Sequence, residues 1–191
     1  KLALMSESRG KESSGLVFQD LESTRIYKTA MPVSDLLESD AVKEDLGTLL
    51  ESKNTNNISH QIDIDFMGHA RLVTDGTQLN SSNNQPIIKE NLIGLHNGII
   101  TNCDDLWSNN KHLEREFEID TEILLTSIKE NIDSKNQSSV NAVINSMNEC
   151  EGTISLALSF TDRSEKLLAT NNGSLYTLTD NENIFIFASE Y

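Results

Sequence analysis

The amino-acid sequence predicts a layered α+β fold. Three observations carry that prediction: apolar residues alternate with period two near the C-terminus, they recur with the helical period across the middle, and short β-type runs separated by polar turns lie near the start. The 191 residues suffice for one domain with a hydrophobic core, and 1–191 reads as a single domain without internal repeats or a low-complexity linker.

In chain order, GLVFQD (15–20) and RIYKTA (25–30) read as two strands around the polar turn LEST. Residues 33–52 carry a loosely helical pattern through Val33, Leu36, Leu37, Leu46, Leu49 and Leu50, and a polar loop follows over 51–61. IDFMGHARLVTDG (64–76) mixes strand residues with a Gly-His-Ala-Arg break, and QLNSSNNQP (78–86) reads as irregular. IIKENLIGL (87–95) reads as a hairpin turning at Lys89-Glu90-Asn91. Two helices follow. Leu124, Ile128 and Ile132 stand at i, i+4, i+8, with Asp120 placed to cap the start. Val140, Val143, Ile144 and Met147 stand at i, i+3, i+4, i+7, with Ser138 or Ser139 as cap. ISLALSF then puts Ile154, Leu156, Leu158 and Phe160 on one face. KLLATN, SLYTLTD and IFIFASE continue as strands of an antiparallel meander. The run Ile184-Phe185-Ile186-Phe187 is apolar on both faces and predicts a sheet covered on both sides.

Composition narrows the function classes. A net charge of −15 argues against nucleic-acid backbones and anionic membrane surfaces as partners, because like charges repel. No apolar stretch reaches the length of a membrane span. The two cysteines, Cys103 and Cys150, make no disulfide framework, so a reducing, cytoplasmic setting is expected. The Gly-Lys of RGKESSG (9–15) is no phosphate loop, since Met5 stands where that loop needs its first glycine. His60, His69, His96 and His112 lack metal-ligand spacing, so no metal site is predicted. Cys103, in TNCDDLW, reads as a small buried thiol at a helix start rather than a nucleophile. The chain begins inside an apolar pattern, KLALMSES, and stops just after a strand-like run, so it is expected to be a piece of something longer.

Four polar motifs remain that a plain core does not need: RGKESSG (9–15), GHARLVTDG (68–76), HNGIITN (96–102) and DTE (120–122). In GLHNGIITN a histidine, an amide and a glycine interrupt an apolar run, although glycine weakens a strand and a buried amide must satisfy its polar atoms. Singly each residue has an ordinary reading: Asp120 a cap, Arg71 a surface ion pair, Gly98 a bulge. As an ordered set they resemble the class II glutamine amidotransferases, whose glutaminase domain is an N-terminal-nucleophile (Ntn) hydrolase. That family runs through RG-x-acid-Ser-small-Gly, GHxRxxTxG, HNGxxxN and TDTE, and the C-terminal FASE (187–190) resembles its strand near the domain's end.

The resemblance implies a four-layer αββα sandwich of two antiparallel sheets. It implies hydrolysis of L-glutamine by an N-terminal Cys whose own α-amine, titrating at about 7.7–8.0, serves as base. It assigns Asn97 and Gly98 to the oxyanion hole, and Arg71, Thr74 and Asp120 to substrate binding. Arg71 would take the α-carboxylate with its planar fork, Thr74 would add a hydroxyl, and Asp120 would meet the α-ammonium. His96 and Arg9 are expected as supports. Neither a metal nor an organic cofactor is implied. The family's nucleophile strand, Cys-Gly-Ile, would lie upstream of Lys1, so this stretch alone is expected not to hydrolyse glutamine. Leu72 and Asp75 also depart from the family pattern and bear on closure of the substrate loop. HNGII resembles the glucosamine-6-phosphate synthase branch, whereas RGKES and NNQP resemble the amidophosphoribosyltransferase branch. The first is preferred, with a sugar-phosphate isomerase-like acceptor domain, downstream or separate, as partner. The alternative of another class is an Ntn-fold module that binds glutamine or a partner without catalysis.

Overall fold

The computed structural model describes residues 1–20, 22–51, 64–72 and 77–189. The chain divides into two units, Lys1–Pro86 and Ile87–Tyr191.

In the first unit, a short helix α1 (Leu2–Met5) and a 3-10 turn (Ser6–Arg9) lead into β1 (Ser13–Gln19) and β2 (Thr24–Thr29). Helices α2 (Val33–Glu38) and α3 (Asp40–Glu51) follow, then β3 (Asp65–Arg71). The sheet is antiparallel in the order β2-β1-β3, and the central β1 is buried along its whole length. Leu16 and Phe18, two residues apart and so on one face, pack with Val33, Leu36, Val42 and Leu49 of the helices. The helical pattern expected over 33–52 splits at Ser39, which is extended and donates its hydroxyl to the Leu36 carbonyl. The break expected at Gly-His-Ala-Arg is absent: β3 runs through it, because all seven of its residues pair in register with Ser13–Gln19. The stretch 78–86 is not wholly irregular either. It holds a 3-10 turn, Ser81–Asn83, capped by the Asn80 side chain accepting from the Ser82 N–H. Most of the polar loop expected over 51–61 lies outside the described residues, as do Thr74 and Asp75.

The second unit contains β4 (Ile87–Lys89), β5 (Leu92–Ile100), α4 (Cys103–Asn109), α5 (Thr121–Asp133) and α6 (Ser139–Glu149). It continues with β6 (Gly152–Phe160), β7 (Lys166–Thr170), β8 (Tyr176–Thr179) and β9 (Phe185–Ala188). An antiparallel sheet runs β4-β5-β6-β7. The expected alternation holds: Ile154, Leu156, Leu158 and Phe160 are buried on one face against Ile123, Leu124 and Ile128 of α5. The hairpin turn is tighter than expected, since Lys89 pairs with Leu92 and leaves only Glu90 and Asn91 between the strands.

Three expectations fail here. Helix α6 buries Ser139, Ala142, Val143 and Ser146, while Val140 and Ile144 are half exposed. Small residues let α6 approach α5, where Asn131 donates to the Ser146 hydroxyl at 2.9 Å. Second, the meander ends at β7, and β8 pairs only with β9 among the described residues. Gly173, at φ 77°, turns the chain, and the Ser155 hydroxyl donates to the Ser174 carbonyl, drawing the segment back over β6 instead of alongside β7. In that hairpin Ile184 and Phe185 stay exposed, so its two faces are not both covered. Third, Asp120 precedes α5 but its side chain does not cap it. Its backbone is already helical (φ −59°, ψ −33°), a geometry unlike the extended one of a capping residue.

Candidate active site

Each unit gathers two of the four motifs. In the first, RGKESSG lies along GHAR. The Glu12 N–H donates to the Arg71 carbonyl, and Ser13 pairs with Arg71 across the β1–β3 ladder. Gly10 is small by necessity: a Cβ there would stand 2.1 Å from the Leu72 backbone nitrogen. Arg71 is almost fully buried. Its Nη1 donates to the Asn83 carbonyl at 3.0 Å and to the Asn84 side-chain oxygen at 3.4 Å. Asn83 and Asn84, both wholly buried, are fixed in turn by donating to the Thr77 and Gln78 carbonyls. The NNQP segment is thus the seat of the guanidinium, a role its sequence does not announce. It would have been found only by asking what pairs with a buried arginine.

In the second unit, HNG meets DTE. Strand β5 passes straight through His96-Asn97-Gly98. Gly98 has φ 150°, and a Cβ on it would collide with the Thr153 carbonyl oxygen at 1.9 Å and with His96 Nε2 at 2.8 Å, so no other residue fits. The register partner of Gly98 is Ile154, whose backbone N–H and carbonyl are both spent on Asn171. Gly98 and Ile154 therefore form a pair without ladder bonds, and the Gly98 N–H faces away from β6. By the two-residue period the Ile100 N–H faces the same edge, where it donates to Asp120 Oδ2 at 2.8 Å. The Asp120 carboxylate and the Gly98 N–H thus lie along one edge of β5.

The Asn97 side chain belongs to the opposite face from His96 and donates through Nδ2 to the Ser189 hydroxyl at 2.9 Å. Ser189 is part of FASE, so that motif bears directly on the oxyanion candidate. His96 is buried against α5, with Nδ1 3.1 Å from the Thr121 hydroxyl and Nε2 3.3 Å from the Thr153 carbonyl. Burial pushes its imidazole below the ordinary histidine range, while Asp120, 3.9 Å away, and the Thr153 carbonyl oppose that shift. Glu122 of the DTE motif is fully buried. Its carboxylate accepts from the Glu116 and Phe117 N–H groups at 2.8 and 2.7 Å and pairs with Lys89 at 2.6 Å. It holds the segment that leads into Asp120. Cys103 donates its thiol to the Ile100 carbonyl, and burial pushes the Cys150 thiol up to about 12, so neither resembles an activated nucleophile.

The elements define an α+β fold of antiparallel sheets and helices, with the candidate residues on strand edges. A family model described as "Glutamine amidotransferase domain" matches residues 69–191, and the chain belongs to that family. Among curated proteins it is 26% identical over 171 residues to the glutamine–fructose-6-phosphate aminotransferase (isomerizing) of Buchnera aphidicola subsp. Acyrthosiphon pisum (strain APS). That match covers 88% of this chain and 25% of the relative. Among solved structures, the glutamine phosphoribosylpyrophosphate amidotransferase of B. subtilis aligns with a TM-score of 0.69 at 20% identity, over 98% of this chain and 37% of that one. A second, titled as the allosteric regulatory enzyme of purine biosynthesis, aligns at 0.66 and 21% identity, over 92% and 35%. These likenesses show the fold, the α+β sandwich of the Ntn amidotransferases. The chain is a class II glutamine amidotransferase domain, and it spans a quarter of the curated relative's length.

Proposed function

We propose that residues 1–191 belong to the glutaminase domain of a longer protein that hydrolyses L-glutamine with an N-terminal Cys and releases ammonia to an acceptor domain outside this stretch. The observation that carries the proposal is the edge of β5: the Gly98 N–H and the Ile100 N–H point to it from two residues of strand apart, about 6.6 Å, and the Ile100 N–H holds the Asp120 carboxylate there. A hydrogen-bond donor for an oxyanion and a carboxylate for an ammonium along that edge suit the two ends of glutamine. Asn97 Nδ2 and the Gly98 N–H take the developing negative charge. Arg71 takes the α-carboxylate, Thr74 supports it, and Asp120 takes the α-ammonium. The nucleophile that this chemistry needs is an N-terminal Cys, with its α-amine as base.

The acceptor is a phosphosugar. The HNGII spelling and the curated aminotransferase relative support this, and two half-buried thiols outside any disulfide, Cys103 and Cys150, suit a cytoplasmic protein of amino-sugar biosynthesis. Among the described residues no helix is long and apolar enough to cross a membrane.

The test is glutamate release by the full-length protein, with N-terminal sequencing of the native chain to find the Cys. Asn97→Ala is expected to lower kcat by about 10²–10³ with KM little changed. Arg71→Ala is expected to raise the glutamine KM. An unchanged KM would overturn the carboxylate assignment, and a mature terminus other than Cys would turn the proposal into a binding module.

A further inference from the structure

Residues 120 and 121 touch strand β5 on both sides of Gly98. Two residues before it, the Thr121 hydroxyl meets His96 Nδ1 at 3.1 Å. Two residues after it, Asp120 Oδ2 receives the Ile100 N–H at 2.8 Å. Between these points the Gly98 Cα is closed in by the Nε2 edge of His96 and by the Thr153 carbonyl, the two groups that a Cβ would strike. The His96 ring therefore meets the start of α5 through Nδ1 and lies beside Gly98 with its Nε2 edge.

The chemistry of the Thr153 and Thr121 contacts sets its proton. A carbonyl oxygen only accepts, so the nitrogen facing Thr153 must carry the hydrogen. A neutral ring then has a lone pair on Nδ1, and the Thr121 O–H donates to it. The same hydroxyl has a second acceptor, Asp120 Oδ1, at 3.4 Å. If Nδ1 gained a proton, Thr121 would have to accept from it and turn its own hydrogen to Asp120.

We propose that His96 is a positioning residue, held by Thr121 as the neutral Nε2–H tautomer, that fixes the Gly98 peptide and couples the ammonium-binding end of the site to the oxyanion hole. The proposal rests on the glutaminase function given above. A substrate ammonium drawn to Asp120 tightens the same residue pair that seats Gly98, so glutamine sets its own oxyanion donor.

Two measurements on the full-length protein test it. The first is nitrogen-15 NMR of the His96 ring in the unliganded protein, which needs no activity. The expected pattern is a proton on Nε2 and none on Nδ1, retained below pH 6.5; a proton on Nδ1 near neutral pH overturns the proposal. The second is Thr121→Val, which keeps the side chain's shape and removes the hydroxyl. It is expected to lower kcat for glutamate release by about ten- to a hundredfold, with KM within about twofold, to shift the Gly98 amide resonance, and to be restored by Thr121→Ser. An unchanged kcat and an unmoved Gly98 resonance in Thr121→Val overturn it. If the wild-type protein releases no glutamate, the functional reading fails. The tautomer and the Gly98 resonance still decide the coupling, and they do so even if a variant folds poorly, because the tautomer is read in the wild type.

Discussion

At the scale of the residue, the site is made of groups whose neighbours restrict what they can do. His96 is the clearest case. Burial disfavours its charged form in the folded chain, whereas the unfolded chain leaves it near its ordinary value of about 6.5. Its folded value is depressed, so below about 6.5 the unfolded state binds more protons. Stability is complete above that pH and is lost as pH falls toward the folded value. Urea unfolding across this window is expected to show a slope of up to about 1.4 kcal/mol per pH unit that His96→Asn removes; an unchanged slope in the variant would assign it to other groups. At this scale the sequence was legible where a residue type was odd for its place. Asn97 and Gly98 stood out because an apolar strand has no use for them. Glu122 stood out only within DTE and Asn84 only within NNQP; the structural role of each was not legible, because it depends on partners that local spacing does not show.

At the scale of the element, β5 and the start of α5 act as one piece. Glu122, with no exposure, anchors the segment 116–117 and the Lys89 ammonium, so it sets how α5 begins. Glu122→Gln replaces a charged acceptor by an amide that can serve fewer of those donors. It is expected to cost about 3–5 kcal/mol, since Lys89 and two backbone N–H groups lose their shared partner. The loss is read from the denaturant midpoint, and a cost under about 1 kcal/mol would mean that water or Glu116 replaces it. Elements with strict period were readable: β6 matches its alternation residue for residue. The buried face of α6 was not, because Ala142 and Ser146 carry little hydrophobic signal although their size is what lets the helix close on α5. Asp120 was misread as a cap for a similar reason. Ile100, its actual partner, is 20 residues away and leaves no trace in local spacing.

At the scale of the whole molecule, the layered α+β class follows from the sequence, but the departure of β8 and β9 from the larger sheet does not. That departure goes with the turn 171–174 bonding to β6, where the Asn171 side chain accepts from the Ile154 N–H and the Ser155 hydroxyl donates to the Ser174 carbonyl. The net charge of −15 bears on stability over the entire chain. Like charges repel most in the compact state, and salt shortens their reach from about 30 Å at 0.01 M to about 8 Å at 0.15 M. Thermal unfolding is therefore expected to move to higher temperature over that range of sodium chloride, and a flat or falling midpoint would show that attractive pairs dominate. The β5 edge itself carries a reporter of its condition. The Ile100 N–H leaves the ladder for a side-chain oxygen of Asp120, so its exchange with deuterated solvent runs on the loosening of one carboxylate rather than on the opening of a sheet. With Asp120 as the proposed seat of the substrate ammonium, a clock of that kind, kept by a single backbone proton, would register glutamine's arrival and departure without a label or a mutation.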